Sequence, residues 1–218
     1  MFRALILSTA MLAASAAIIP ASAAEGDWLV RFRVINVDPS GDAGTVNPGF
    51  PTGSVSVDNA IVPEVDFTRF FSDHWAAELI LATSPHDISG VGSLNGLGKI
   101  AETMALPPTI TLQYHFAPEA SFRPYIGAGL NYTMFYNEDT TTSLVGALGP
   151  TSIDLDDSFG FALQAGFDVD INEKWFFNAD IKYIDIDTEA TLNSNGTINT
   201  VKVDLDPVVA GIGVGFRF

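Results

Sequence analysis

Ser158–Ile171 reads SFGFALQAGFDVDI. Phe159, Phe161, Leu163, Ala165, Phe167, Val169 and Ile171 fall on one parity, and Ser158, Gly160, Ala162, Gln164, Gly166, Asp168 and Asp170 on the other. Helical pitch would scatter the large apolar side chains; a strand, whose side chains alternate between two faces, puts them all on one. The run is long for a strand of a globular domain. It suits one that crosses a bilayer at a tilt and continues beyond it.

The same period recurs in both directions along the chain. Upstream, Trp28, Val30, Phe32 and Val34 alternate with Arg31 and Arg33, then Ile61, Pro63, Val65 and Phe67 with Glu64, Asp66 and Thr68. Ala77, Leu79 and Leu81 stand against Glu78 and Ile80. After Pro107-Pro108, Ile110, Leu112 and Tyr114 stand against Thr111, Gln113 and His115. Ile126 to Met134 alternates with Gly127, Gly129, Asn131 and Thr133. Downstream come Phe177, Ala179, Ile181 and Tyr183, then Val208 to Phe218 with Gly211, Gly213, Gly215 and Arg217 between. Eight strands, an even number, predict an all-β, eight-stranded antiparallel transmembrane barrel. Tight connections (Ser72–His74, Ala117–Arg123, Asn172–Lys174) alternate with long ones (Asp38–Ser54, Asp87–Met104, Tyr136–Asp156, Thr188–Thr200), as short periplasmic turns and long extracellular loops would. Aromatic residues at the strand ends (Phe70, Phe71, Trp75, Tyr114, Phe116, Trp175, Phe176) suit an interfacial girdle.

Composition agrees. The 218 residues are 47% hydrophobic and only 17% charged, yet 26 acidic residues against 10 basic give a formal charge of -16, no footprint for nucleic acid. Without cysteine there are no disulfides, thiolate metal sites or cysteine nucleophiles, and three histidines leave little for a transition-metal site. Neither a cofactor nor a metal is expected.

Arg3 precedes the apolar stretch Ala4–Ile19, and Pro20-Ala21-Ser22-Ala23-Ala24 supplies small residues for a peptidase. Residues 1–23 are expected to be a secretory signal, cleaved near Ala23/Ala24, and residues 24–218 the barrel. No later run is apolar enough for a membrane helix, so an exported chain that enters a membrane must do so as a closed barrel.

Alternation alone does not say which face is outside. A soluble β-sandwich or lipocalin-like barrel would turn its apolar face inward. Here the other face carries Arg31, Arg33, Glu64, Asp66, Glu78, Asp168 and Lys182 among many glycines, a poor recipe for the dry core of a soluble barrel, which favours the membrane barrel. Phe216 and Phe218, on the apolar face of the last strand, resemble the signal read by the outer-membrane assembly machinery.

Several ordered segments then carry a resemblance. Gly26–Arg31, Leu106–Thr109, Phe122–Tyr132, Asp157–Gly160, Tyr183–Thr188 and Asp204–Pro207 together resemble the outer-membrane protein W family, which includes alkane-uptake porins. The likeness spans Trp28–Phe218. It implies a bacterial outer-membrane barrel with a narrow hydrophobic extracellular half. Its partners would be lipopolysaccharide and outer-membrane lipids, the assembly machinery, and small hydrophobic solutes released into the membrane. An eight-stranded interior holds little more than side chains or one small ligand. The alternative is a closed structural or adhesive barrel acting through its extracellular loops.

For the solute path, Ile80, between Glu78 and Ala82, and Val62, between Ala60 and Glu64, are apolar residues on the otherwise polar parity. They read either as a lumen constriction or as packing inside a plug. Lys182 stands where the family often has an aromatic residue. It is expected to pair with Asp180 or Glu78, or to favour slightly polar cargo. Pro107 and Pro108 lack ladder donors and read as a lateral exit or as a kink at strand entry. Catalysis is not expected: His86 lies near Ser84, Asp87 and Ser89, but a triad needs orientation as well as proximity. Glu138, Asp139, Asp154, Asp156 and Asp157 match no calcium loop and read as a solvated rim, and Asp185, Asp187, Asp204 and Asp206 as strand extension above the membrane.

Overall fold

The computed structural model describes residues 25–218; the expected secretory signal lies outside them. In chain order the strands are β1 (Trp28–Asp38), β2 (Gly53–Val57), β3 (Ala60–Phe70), β4 (Trp75–Ala82), β5 (Ser84–Gly92), β6 (Lys99–Leu106), β7 (Thr109–His115), β8 (Phe122–Thr140), β9 (Thr151–Leu155), β10 (Ser158–Asp170), β11 (Trp175–Ile184), β12 (Asp187–Ser194), β13 (Thr197–Asp204) and β14 (Val208–Arg217). One short helix, α1 (Thr142–Leu148), follows β8.

Eight of these strands close a barrel in the antiparallel order β1-β3-β4-β7-β8-β10-β11-β14, with β14 paired back to β1. They are the eight periodic runs of the sequence. Closure of β14 onto β1 leaves no free edge strand, the condition for strands in lipid. Registers such as Leu163↔Tyr183 and Val34↔Ile212 put the large apolar side chains together on one face, and that face is outside: Phe32, Ile61, Ile110, Leu130, Phe159 and Ile212 are all exposed. A soluble barrel would show the reverse. At the end with tight turns, Trp75, Tyr114 and Phe116 stack edge to face, as do Trp175 and Phe216, forming the expected girdle.

The long connections lie at the end opposite the tight turns, as expected, and two of them, Asp87–Met104 and Thr188–Thr200, are largely strand. Above Phe135 the sheet continues from β8 into β6, β5 and β2, while β9, β12 and β13 form a separate three-stranded sheet. Val55, Ile88, Ile100, Leu144, Ile153, Leu192, Val201 and Val203 meet in one cluster between these layers. A segment burying this much apolar surface must also pair its backbone, and strands do both. Along β5 the outward residues become Pro85 and Asp87, so the lipid-facing band ends below it.

Candidate functional site: a divided lumen

The inward parity changes character at one level. On the side of the tight turns the inward residues are Arg31 and Arg33 of β1, Glu64 and Asp66 of β3, Glu78 of β4, Gln164 and Asp168 of β10, and Asp180 and Lys182 of β11. One pleat further along the same strands they become Ile35, Val62, Ile80, Ala162 and Ile184, joined by Val209 of β14.

The charged half is packed shut. The Arg31 guanidinium meets Asp66 at 3.1 Å, Glu78 at 3.3 Å and Asp168 at 3.0 Å. Arg33 reaches Glu64 at 2.7 Å and Asp180 at 2.6 Å, and Lys182 Nζ lies 3.0 Å from Glu64 and 2.7 Å from Asp180. Gln164 Nε2 donates to Glu78 Oε2 at 2.7 Å. These groups are out of water, and pairing is the only way such charges persist there. Beneath them Leu29, Phe70, Ala76 and Phe176 form an apolar floor, with Arg31 lying 5.6 Å over the Phe176 ring. Room for these large groups comes from glycines on the neighbouring strands. A Cβ on Gly215 would sit 2.1 Å from the Phe176 ring, and one on Gly166 2.5 Å from Tyr125 Oη.

Above the charges runs a narrow cavity of about 70 Å³, walled by Ile35, Ile80, Ala82, Ile184, Ile186 and Val209 near its base and by Ile88, Ile100, Leu192 and Val201 higher up. A single water needs about 10–15 Å³. Its base is Glu64, held by Arg33 and Lys182. The cavity therefore continues upward into the outer sheets and stops downward at ion pairs.

Two features of its wall are local. Between Ile80↔Thr109 and Ser84↔Ala105 the register is continuous but the ladder is not: Leu81, Ala82 and Thr83 face Pro108, Pro107 and Leu106 without a backbone pair. Prolines have no N–H to give. Outside this seam, Thr83 Oγ1 and Tyr136 Oη share a hydrogen bond of 2.6 Å. On the same wall Ser84 Oγ lies 2.8 Å from His86 Nε2, and His86 Nδ1 2.9 Å from the Asp58 carbonyl oxygen. Burial pushes the His86 imidazole below its ordinary value, against the pull of that carbonyl and of the nearby Asp58 and Asp87 charges.

The OmpW family model matches residues 24–218. The chain belongs to the OmpW family. Outer membrane protein W of Vibrio cholerae is 36% identical over 89% of each chain. The dibenzothiophene metabolism operon protein PahQ of Pseudomonas aeruginosa is 31% identical over 91% of this chain and 92% of its own. The crystal structure of the outer membrane protein OprG from Pseudomonas aeruginosa superposes with a TM-score of 0.84 at 33% identity, covering 89% of this chain and 97% of that one. This OmpW-family protein is accordingly an outer-membrane β-barrel.

Within this OmpW-family barrel the residues singled out from sequence are distributed as follows. Ile80 faces the lumen and lines the base of the cavity. Val62 is buried in the same apolar layer beside Ile35 and Ile184, one step back from the cavity wall. Lys182 pairs with Asp180, as expected, but with Glu64 in place of Glu78; Arg31 and Gln164 engage Glu78 instead. Pro107 and Pro108 lie between β6 and β7, at the seam. His86 does meet a serine, but its other partner is a backbone carbonyl and not a carboxylate. Of the acidic loop residues, Asp139, Asp154, Asp156 and Asp157 are exposed, while Glu138 accepts from Leu155 N at 3.2 Å and is pushed up by burial. Among the described residues no group of three His, Asp or Glu could hold a metal ion. Ile35, Ala162, Ile184 and Val209 were passed over. The signal was present: on β1 and β11 the residue two beyond the last inward charge is isoleucine.

Proposed function

We propose that the barrel conducts small hydrophobic molecules past the lipopolysaccharide layer, taking them into the apolar cavity and releasing them sideways into the outer leaflet at the Pro107-Pro108 seam. One observation carries this reading: an apolar cavity that ends downward on packed ion pairs and sideways on an unpaired stretch of ladder. A solute continuing downward would have to strip paired charges apart, at several kcal/mol each. Moving sideways, it breaks no backbone bond. Lipopolysaccharide, a charged sheet that apolar solutes cross poorly, is the barrier bypassed. Ile80 and Val62 form the apolar layer above the ion pairs, with Lys182 fixing the charged surface beneath. The name of the relative PahQ, a dibenzothiophene metabolism operon protein, is consistent with an apolar cargo. The reading requires no cofactor and no catalytic step, and without an acid on His86 no hydrolytic role is assigned.

The test is uptake of octane by proteoliposomes carrying the protein in lipopolysaccharide-containing membranes. Ile80→Asp, which puts a carboxylate at the cavity base, and Ala82→Phe, which fills it without charge, are both expected to abolish protein-dependent uptake. Unchanged uptake in Ala82→Phe overturns the path. No uptake by the parent protein above empty membranes leaves the closed barrel acting through its loops.

A further inference from the structure

The polar groups of the cavity wall are all oriented the same way. His86 Nδ1 faces a carbonyl oxygen, which only accepts, so Nδ1 carries the proton and the neutral ring offers Nε2 as an acceptor. Ser84 Oγ must then be the donor to Nε2. The other lining hydroxyls are committed in the same sense. Thr103 donates to the Tyr136 carbonyl at 3.4 Å, Thr109 to the Pro107 carbonyl at 3.0 Å, Thr133 to Asn131 Oδ1 at 2.7 Å and Thr188 to the Asp156 carbonyl at 2.7 Å. Glu64 accepts from Arg33 and Lys182. Among the described side chains lining the cavity, each hydrogen-bonding proton is thus spent inside the protein, and what faces the lumen is oxygen lone pairs set in an apolar wall.

From this we infer that the cavity selects among apolar solutes for those carrying one hydrogen-bond donor, an aliphatic alcohol or a phenol, with Ser84 Oγ as the acceptor held in orientation by His86. The inference rests on the cavity being the solute path. An ether or ester of equal size brings only lone pairs to lone pairs, and its oxygen stays unsatisfied once it leaves water. An alcohol replaces its lost water with Ser84. The discrimination is therefore written by His86: with its ring locked between Asp58 and Ser84, the serine cannot turn its proton toward the lumen.

The experiment uses the protein in lipid nanodiscs, with phenylnaphthylamine as a fluorescent occupant displaced by octanol, by its isomer heptyl methyl ether or by octane. Each titration is corrected for partition into empty nanodiscs. Octanol is expected to displace the dye at about three- to tenfold lower concentration than the ether, the worth of one neutral hydrogen bond. His86→Phe keeps a ring but frees the serine proton, and Ser84→Val removes the acceptor while covering the imidazole; each brings the ratio to within about twofold. Equal displacement by octanol and ether in the parent protein, or a ratio unmoved in both variants, overturns the selection while leaving the path intact. Failure of all three solutes to displace dye refutes the path, and the selection with it.

Discussion

Glu78 and Ile80 are two residues apart on one strand and face the same way, yet one belongs to the ion-pair network and the other to the apolar cavity. That step, repeated from Arg33 to Ile35 and from Lys182 to Ile184, divides the lumen. Within the network each charge is held by several partners, and removing one leaves the others buried without compensation. Asp168→Ala, which strips Arg31 of a carboxylate at 3.0 Å, is expected to destabilise the barrel by about 3–5 kcal/mol. The measurement is urea unfolding in lipid vesicles followed by tryptophan fluorescence, and a loss below about 1 kcal/mol would show the network to be energetically slack. Ile80 and Val62 were legible as exceptions to alternation because a charged residue flanks each two positions away. Ala162 was not, since a small residue on a glycine-rich parity carries no contrast. Nor does sequence reveal which acid Lys182 takes as partner: Glu64 comes from β3, far along the chain, and only closure of the barrel brings it to 3.0 Å.

At the scale of elements, all eight membrane strands could be read from the sequence, because lipid on one side and a polar lumen on the other enforce strict alternation. The outer strands were missed for the complementary reason. Above the lipid band, both faces of a strand meet water or protein, and the contrast fades. Asn195-Gly196 marked one of them all the same. Both residues have positive φ, 51° and 88°, and they close the two-residue turn from Ser194 to Thr197 that joins β12 to β13. Asn-Gly is the strongest short hairpin signal, and it lay inside a span read as loop. In the proposed path, release turns on the seam. Restoring donors with Pro107→Val and Pro108→Val allows Leu81–Thr83 to pair across it, so the double variant is expected to fold at least as stably as the parent and to release solute more slowly. Dye efflux from preloaded nanodiscs into acceptor vesicles measures this; an unchanged rate would show that the missing pairs do not limit release.

The whole molecule is a barrel closed below by an apolar floor and ion pairs, ringed by antiparallel ladders that are interrupted at the seam, and continued above by packed sheets. The architecture, the outer-membrane location and the family were all within reach of the sequence. The blocked lower lumen was not, because composition shows charges without showing that they neutralise one another. The account stands on the direction in which a solute leaves, and the chain suits a direct test because it contains no cysteine. Ala82 and Pro107 face each other across the seam, midway between the pairs Ile80↔Thr109 and Ser84↔Ala105, and both line the cavity. With Ala82→Cys and Pro107→Cys combined, octane uptake should be lost when the pair is oxidised and recover on reduction, while either single variant is indifferent to both treatments. Uptake that persists through the oxidised, cross-linked barrel would place the exit elsewhere and contradict sideways release.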